Sequence, residues 1–429
     1  LTGPRTSDSI KGVNTNQTLA YGLSCLSFLS LAACSGSGLP NPTPMPTATL
    51  TPAPSPVPTE VPLAPLDYEC NFVEEGFGPV GSVRIGVQVL AEGLAVPWGI
   101  GFLPDGSWLI TERAGDVRRR TPAGELQDEP VLTIAAAPAG EGGLLGIAIH
   151  PEFVTNRLFY LYFTGEEGGT LDNRIERYVL SEDAATAAHD RTILTGMPAN
   201  TFHDGGRLRF GPDGFLYASL GDAGTPSRAQ DPDSPAGKIL RIDPDGNIPA
   251  DNPFPNSPAW VIGVRNSQGF DWREDGRMVL VDHGPSFEFG LRGRDEVNIT
   301  EKGANLGWPE ITACETADGL QAPVRSWREA MPPGGLAIYR GSEIPQWKDD
   351  LLIGVLSFGS TGGHLHRIRL DTAGQVLLSE VYLRGEYGRL RDVIMGPDGG
   401  LYVTTSNCDG RNTCPPEGDL ILRIGAAPD

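Results

Sequence analysis

The chain has 429 residues, 56 of them glycine and 38 proline, and a formal net charge of −21. So acidic a chain, with no basic tract longer than "RRR" at 118–120, excludes a nucleic-acid-binding surface, which shows as a basic patch. Abundant turn-formers with an apolar share of 39% describe a body of many short strands around a sizeable core.

Arg5 and Lys11 precede the apolar stretch "LAYGLSCLSFLSLAAC" (19–34), which is short for a membrane span and reads as the apolar region of a signal peptide. It ends in "LAAC", which resembles a bacterial lipobox, and Cys34 is then the residue to be lipidated, so residues 1–34 are expected to be a lipoprotein signal peptide. Residues 35–66 hold ten prolines and read as a Pro/Thr-rich linker. At about 3.1 Å per residue such a linker reaches on the order of 100 Å. The expected location is extracytoplasmic, as a bacterial cell-envelope lipoprotein touching the membrane only through its lipid anchor.

From residue 67 to 429 one phrase returns. It occurs as "FLPDGSWLITER" (102–113), "FGPDGFLYASLGD" (210–222), "WREDGRMVLVDHG" (272–284) and "MGPDGGLYVTTSN" (395–407), with a looser relative at 147–164. Each copy places an Asp-Gly turn between apolar runs, a strong hairpin signal because glycine supplies the positive φ of a tight turn. "GKILRID" (237–243) and "GHLHRIRLD" (363–371) add strands, and His364 and His366 read as strand-surface histidines. No amphipathic helix of three turns separates these runs. Strand pairs repeated radially leave only short, protected edges, and blades of about 55–60 residues predict an all-β, six-bladed propeller.

In a propeller, loops from several blades converge on one end of the central channel. His203 and Asp222 bracket one hairpin, which places the aspartate within reach of the histidine; a base needs such a partner to fix its tautomer. Arg265 follows an apolar strand beside Asn266, and Arg389 and Arg391 are two apart, so in a strand they face one side. Arginines gathered at strand mouths in so acidic a chain point either to pairing with its carboxylates or to a polyanionic ligand.

Beyond Cys25 and Cys34, four cysteines remain and allow three pairings. Cys408 and Cys414 close a short loop, which favours local pairing and leaves Cys70 for Cys314. Their irregular spacing and the oxidising compartment argue against zinc.

These segments occur in a familiar order: "LAVPWGIGFLPDGSWLITERAGDVRR" (94–119), "EGGLLGIAIHPEF" (141–153), "HDGGRLRFGPDG" (203–214), "GKILRIDPDGNIPADNPF" (237–254), "GVRNSQG" (263–269), "DHGP…DEVN…GWP" (282–309) and "RLRDV" (389–393). The chain resembles the soluble pyrroloquinoline quinone (PQQ)-dependent glucose and aldose sugar dehydrogenases, six-bladed propellers. The resemblance implies oxidation of an aldose at its anomeric carbon to the lactone, with PQQ and Ca²⁺ as cofactors and electrons passed to a non-oxygen acceptor. It makes His203 the base and Asp222 its orienting partner. It places Arg265, Asn266, Arg389, Arg391 and Glu141 at the cofactor. Gly284 and Pro285 become carbonyl ligands of a cofactor-bridging calcium, and Glu296 with the carbonyl of Leu306 a second, structural calcium site. No Cys-x-x-Cys-His haem site is present, so the acceptor is left open, as is the choice between monomer and homodimer.

Two departures mark this chain. Glu141 stands where many relatives carry glutamine, and a carboxylate there repels cofactor carboxylates unless protonated or paired with an arginine. The loop "GVLSFGSTGGHLHRI" (354–368) lacks the lysine the glucose dehydrogenases place there. Both favour a second reading, a cofactor-free cell-surface propeller that binds a glycan or protein partner; the His203, Asp222 and arginine set opposes it.

Overall fold

In each full copy of the recurring phrase the Asp-Gly turn folds the same way. Gly106, Gly214, Gly276 and Gly399 take φ between 77° and 86°, where a side chain is strained. Each donates its amide at 3.0 Å to the carbonyl three residues back. The aspartate before it caps the second amide onward, as Asp105 does for Ser107 (2.8 Å) and Asp275 for Arg277 (3.0 Å). These turns join the first and second strands of four sheets.

A computed structural model describes residues 65–357 and 362–428. The signal peptide with Cys34 and nearly all of the linker lie outside the described residues. The strands form six antiparallel sheets in sequence order, the blades of a propeller. Their innermost strands are Pro97–Phe102, Leu144–Ile149, Leu208–Phe210, Ser267–Trp272, Pro333–Ile338 and Leu390–Met395. The ring closes by pairing chain ends: Ile85–Leu94 lies antiparallel to Asp419–Ala426 as the outer strand of blade six. Such closure leaves no long sheet edge. Asn71–Val73 adds a fifth, parallel strand to blade four against Arg325–Trp327, and the Cys70–Cys314 disulfide lies beside it (Cα–Cα 5.4 Å). Among the described residues the one α-helix is the four-residue Phe153–Asn156, the longest 3₁₀ turn is the five-residue Pro226–Gln230, and no helix is long and apolar enough to cross a membrane.

The apolar core lies between adjacent blades. One cluster joins Val279, Val281, Val297 and Ile299 to Leu336, Ile353, Val355 and Ile368; another joins Tyr160, Tyr162 and Ile175 to Leu216, Leu220 and Leu240. On the channel axis the packing is polar. Arg207 and Asp392, both buried, pair at 2.8 Å, the Arg207 Nε donates to the Gln268 carbonyl (2.9 Å), and the guanidinium lies 4.7 Å from the Trp98 ring centre. This pair ties blade three to blade six.

His364 and His366 are not surface residues. Both are fully buried in the third strand of blade five: His364 contacts the Gly362 carbonyl (2.8 Å), the two rings meet at 3.2 Å, and His366 reaches the Ser379 hydroxyl (2.8 Å). Neighbouring blades cover both sheet faces, so alternation does not mark an exposed side here.

Candidate active site

The strand connections bring one end of every blade together. Glu141, His203, Arg265 and Arg389 lie in the segments that enter the inner strands of blades two, three, four and six, and Asp222 and His283 follow second strands. Segments that enter first strands and leave second strands are at the end opposite the Asp-Gly turns, so residues far apart in sequence share one rim.

His203 is buried, with φ at 63° in the left-handed region, an uncommon conformation for a side-chain-bearing residue. Several contacts hold it there. Its amide donates to Glu141 Oε2 (3.0 Å) and its carbonyl receives the Ala223 amide (3.3 Å). Asp204, which accepts from the Asn200 amide and Asn173 Nδ2 (both 3.0 Å), anchors the next residue. Gly221 passes so close that a Cβ there would lie 2.3 Å from the His203 carbonyl.

The sequence pairing of His203 with Asp222 is present: Nδ1 and Oδ1 are 2.7 Å apart. Asp222 is fully buried; its Oδ1 also receives the Gly224 amide (2.7 Å), and its Oδ2 receives the Trp308 indole N–H (2.8 Å). A carboxylate only accepts, so Nδ1 carries the hydrogen and the Nε2 lone pair is directed away. Trp308 was not a sequence candidate; it lies within the "GWP" segment, but nothing in its spacing ties it to Asp222.

Arg265 and Asn266 are buried beside this pair. Asp282 caps both amides (2.8 and 2.6 Å). Asn266 donates through Nδ2 to Glu141 Oε2 (3.1 Å) and accepts from the Gly205 amide (3.1 Å). Arg265 donates to the His283 carbonyl (3.3 Å), pairs with Glu288, and has its guanidinium 5.4 Å from the Trp308 ring centre. Glu288 also lies 3.9 Å from His203 Nε2. Three exposed aromatics stand in the loops carrying these groups: Phe202, 4.8 Å from the His203 ring, Phe289, 5.9 Å from Trp308, and Phe287.

Arg389 pairs with the buried Asp409 (2.9 Å) and donates to the Leu356 and Ser357 carbonyls. Arg391 bonds the Gln268 side chain, and burial, then the charge of Arg389, pull its pKa down to about 9. Nε of both Arg391 and Arg265 is buried without a hydrogen-bond partner. Positive charge disfavoured by burial and neighbouring arginines, with unspent donors, suits an anionic ligand. Phe358, in the loop that lacks the lysine, lies outside the described residues.

The Gly284 amide donates to Asp295 (3.1 Å), and Glu296 accepts from the Ala313 amide (2.8 Å) and Asn298 Nδ2 (3.3 Å). Burial, then the charge of Asp282, pushes the Glu296 carboxyl up to about 8. Asn298 Oδ1 is buried with no partner. This oxygen-rich, charge-strained set fits a hard cation. Leu306 packs in a separate apolar cluster with Trp260 and Val264, its amide bonded to the Ile262 carbonyl (2.9 Å). Among the described residues no group of three or more His, Cys, Asp or Glu is arranged to hold a metal ion.

The glucose/sorbosone dehydrogenase family profile matches residues 94–422, most of the chain and all of this site. The chain belongs to the glucose/sorbosone dehydrogenase family. By that membership it is a sugar oxidoreductase. It is 33% identical over 351 residues to the aldose sugar dehydrogenase YliI of Escherichia coli, covering 76% of this chain and 91% of that one. It is 30% identical over 295 residues to quinoprotein glucose dehydrogenase B of Acinetobacter calcoaceticus, covering 61% and 58%. The PQQ-bound aldose sugar dehydrogenase of Streptomyces coelicolor superposes with a TM-score of 0.70 at 35% identity, covering 80% of this chain and 98% of that one.

Proposed function

We propose that this glucose/sorbosone dehydrogenase family member oxidises an aldose at its anomeric carbon to the lactone, with PQQ and Ca²⁺, and passes the electrons to an acceptor other than oxygen. The observation that carries the reading is the Asp222–His203 pair, with Nδ1 committed to the carboxylate at 2.7 Å, beside buried arginines with unspent donors. The PQQ-bound relative from Streptomyces coelicolor supports the choice of cofactor.

In this reading His203 Nε2 takes the proton of the sugar's C1 hydroxyl, and Asp222 stabilises the imidazolium that results. The Asp222 geometry spares the base any reorganisation: two further donors, the Gly224 amide and Trp308, fix the carboxylate before substrate arrives. Exposed Phe202 and Phe289 offer flat apolar faces to the C–H face of a sugar ring. Arg265, Asn266, Arg389 and Arg391 would hold the cofactor, and Glu141 would hold the His203 and Asn266 side of its site. The carbonyls of Gly284 and Pro285 would hold one calcium, and Glu296 with the Leu306 carbonyl a second. When bound, the quinone supplies the hydride acceptor and the metal polarises it. The arginine donors and the family membership favour this reading over a cofactor-free binding propeller.

We further propose that the protein works outside the cytoplasm, tethered through Cys34 and the proline-rich segment. The test is product analysis. With PQQ, Ca²⁺, an aldose and a redox dye, wild-type protein yields the lactone and its hydrolysis product, and His203→Ala lowers that yield at least a hundredfold. Equal turnover by His203→Ala would refute the assignment of the base.

A further inference from the structure

Glu141 places a carboxylate at the rim beside His203 and Asn266, and the structure shows what faces it. Its Oε2 is spent on the His203 amide (3.0 Å) and Asn266 Nδ2 (3.1 Å), while Oε1 faces Arg411 Nη2 at 3.6 Å. Burial raises the Glu141 carboxyl, but interactions with His283, Arg411 and His203 outweigh it and hold the group below the usual range. Arg411 thus supplies an ion pair to this carboxylate.

Arg411 itself is held by a short closed loop. Cys408 and Cys414 are disulfide-bonded across a separation of six residues, with Cα atoms 4.3 Å apart. Inside that loop Asp409 Oδ1 receives the Arg411 amide (2.9 Å), and Asp409 Oδ2 receives Arg389 through Nη2 (2.9 Å) and Nε (3.1 Å). One clamped turn of blade six thus fixes Arg389 and presents Arg411 to Glu141. Glu141 in turn fixes the amide of the residue read as the base.

We propose that Arg411, clamped by the Cys408–Cys414 loop, is a positioning residue: it neutralises Glu141, letting that carboxylate hold the His203 amide and Asn266 without repelling an anionic cofactor. The cofactor half rests on the dehydrogenase reading; the Arg411–Glu141 coupling does not. A neutral glutamine at 141 can make both hydrogen bonds only by accepting through its single oxygen, and it needs no cation beside it. Positions 141 and 411 therefore act as one unit.

The experiment is a double-mutant cycle of Arg411→Gln, Glu141→Gln and the pair combined, read in two ways. Isothermal titration with PQQ in Ca²⁺ is expected to show about tenfold weaker binding for Arg411→Gln, the scale of one lost charge-assisted contact in a half-buried setting. In the Glu141→Gln background the same change costs less than about twofold. Thermal melting of the protein without cofactor is expected to show Arg411→Gln lowering the midpoint by about 1–2 °C more when residue 141 is glutamate than when it is glutamine. Equal losses in both backgrounds, or no loss in either, overturn the proposal. If wild-type protein does not bind PQQ, the dehydrogenase reading fails, and the melting cycle still decides the coupling. The clamp is tested by replacing both Cys408 and Cys414 with serine. Affinity falling toward the Arg411→Gln value supports its part, and unchanged affinity overturns it.

Discussion

Asp222→Asn separates the two things Asp222 does, hold a tautomer and carry a charge. The carboxylate accepts three hydrogen bonds, from His203 Nδ1 and Gly224 on Oδ1 (2.7 Å each) and from Trp308 on Oδ2 (2.8 Å). An asparagine has one acceptor oxygen. With that oxygen facing His203, its amide hydrogens meet the indole N–H, and the Trp308 donor is left unpaired. With the amide turned round, Nδ1 must accept and Nε2 must carry the hydrogen, so the base is lost. Either way the negative charge that stabilises the imidazolium disappears. A charge-assisted buried hydrogen bond is worth about 1.5–3 kcal/mol, and the matching change in a Ser-His-Asp triad lowers turnover about 10⁴-fold. Asp222→Asn is therefore expected to lower kcat for aldose oxidation about 10²–10⁴-fold. PQQ affinity should change much less, because the Asp222 side chain bonds His203, Gly224 and Trp308 and none of Arg265, Asn266, Arg389 or Arg391. The assay is steady-state dye reduction alongside a PQQ titration and a thermal melt. A folded variant with turnover within threefold of wild type would refute the reasoning.

Gly221→Ala places a Cβ 2.3 Å from the His203 carbonyl and 2.9 Å from that of Arg265; it is expected to cost about 1–3 kcal/mol in urea unfolding and to lower turnover at least tenfold. His364 and His366 are kept neutral by burial, His364 with a pKa of about 4. Unfolded histidine binds a proton below about pH 6.5, so the pair's contribution falls as pH drops from 6.5 toward 4, by roughly 3 kcal/mol for His364 alone. Calorimetric melts from pH 7.5 to 5 should show a shallower acid-side slope for His364→Gln/His366→Gln than for wild type, and parallel slopes would contradict the assignment. Ca²⁺ at about 100 times its dissociation constant is expected to add about 2.7 kcal/mol of stability. Most of the resulting shift should disappear in Glu296→Gln, and an undiminished shift in melting scans would place the cation elsewhere.

The fold was legible because four of the six blades write the same turn. Asp105, Asp213, Asp275 and Asp398 each precede a glycine that only a left-handed turn requires, and spacing alone then sets the radial repeat. The site was legible where residues of unusual type stand at strand mouths, as His203, Arg265 and Arg391 do. What stayed hidden was partnership across blades. Glu112, Asp282 and Asn407 end second strands and cap lead-in amides of their own blades, those of Ala95, of Arg265 and Asn266, and of Arg389. Asp222 ends its hairpin in a similar place but turns to His203 and to Trp308, 86 residues away. A local pattern cannot separate the two uses. The Arg411–Glu141 pair joins residues 270 apart in sequence and was likewise invisible, although the need for an arginine beside Glu141 was not. The histidines of blade five misled because a sheet covered on both faces has no polar side to alternate with.

The central claim is tested most directly by titrating the purified protein with PQQ and Ca²⁺ and then adding an aldose and a redox dye. The account predicts saturable binding at one quinone per chain, lost in Arg391→Gln, followed by sugar-dependent dye reduction. No binding at any cofactor concentration, with the protein folded and calcium present, would contradict it and leave the propeller's arginine-lined end to a different anion.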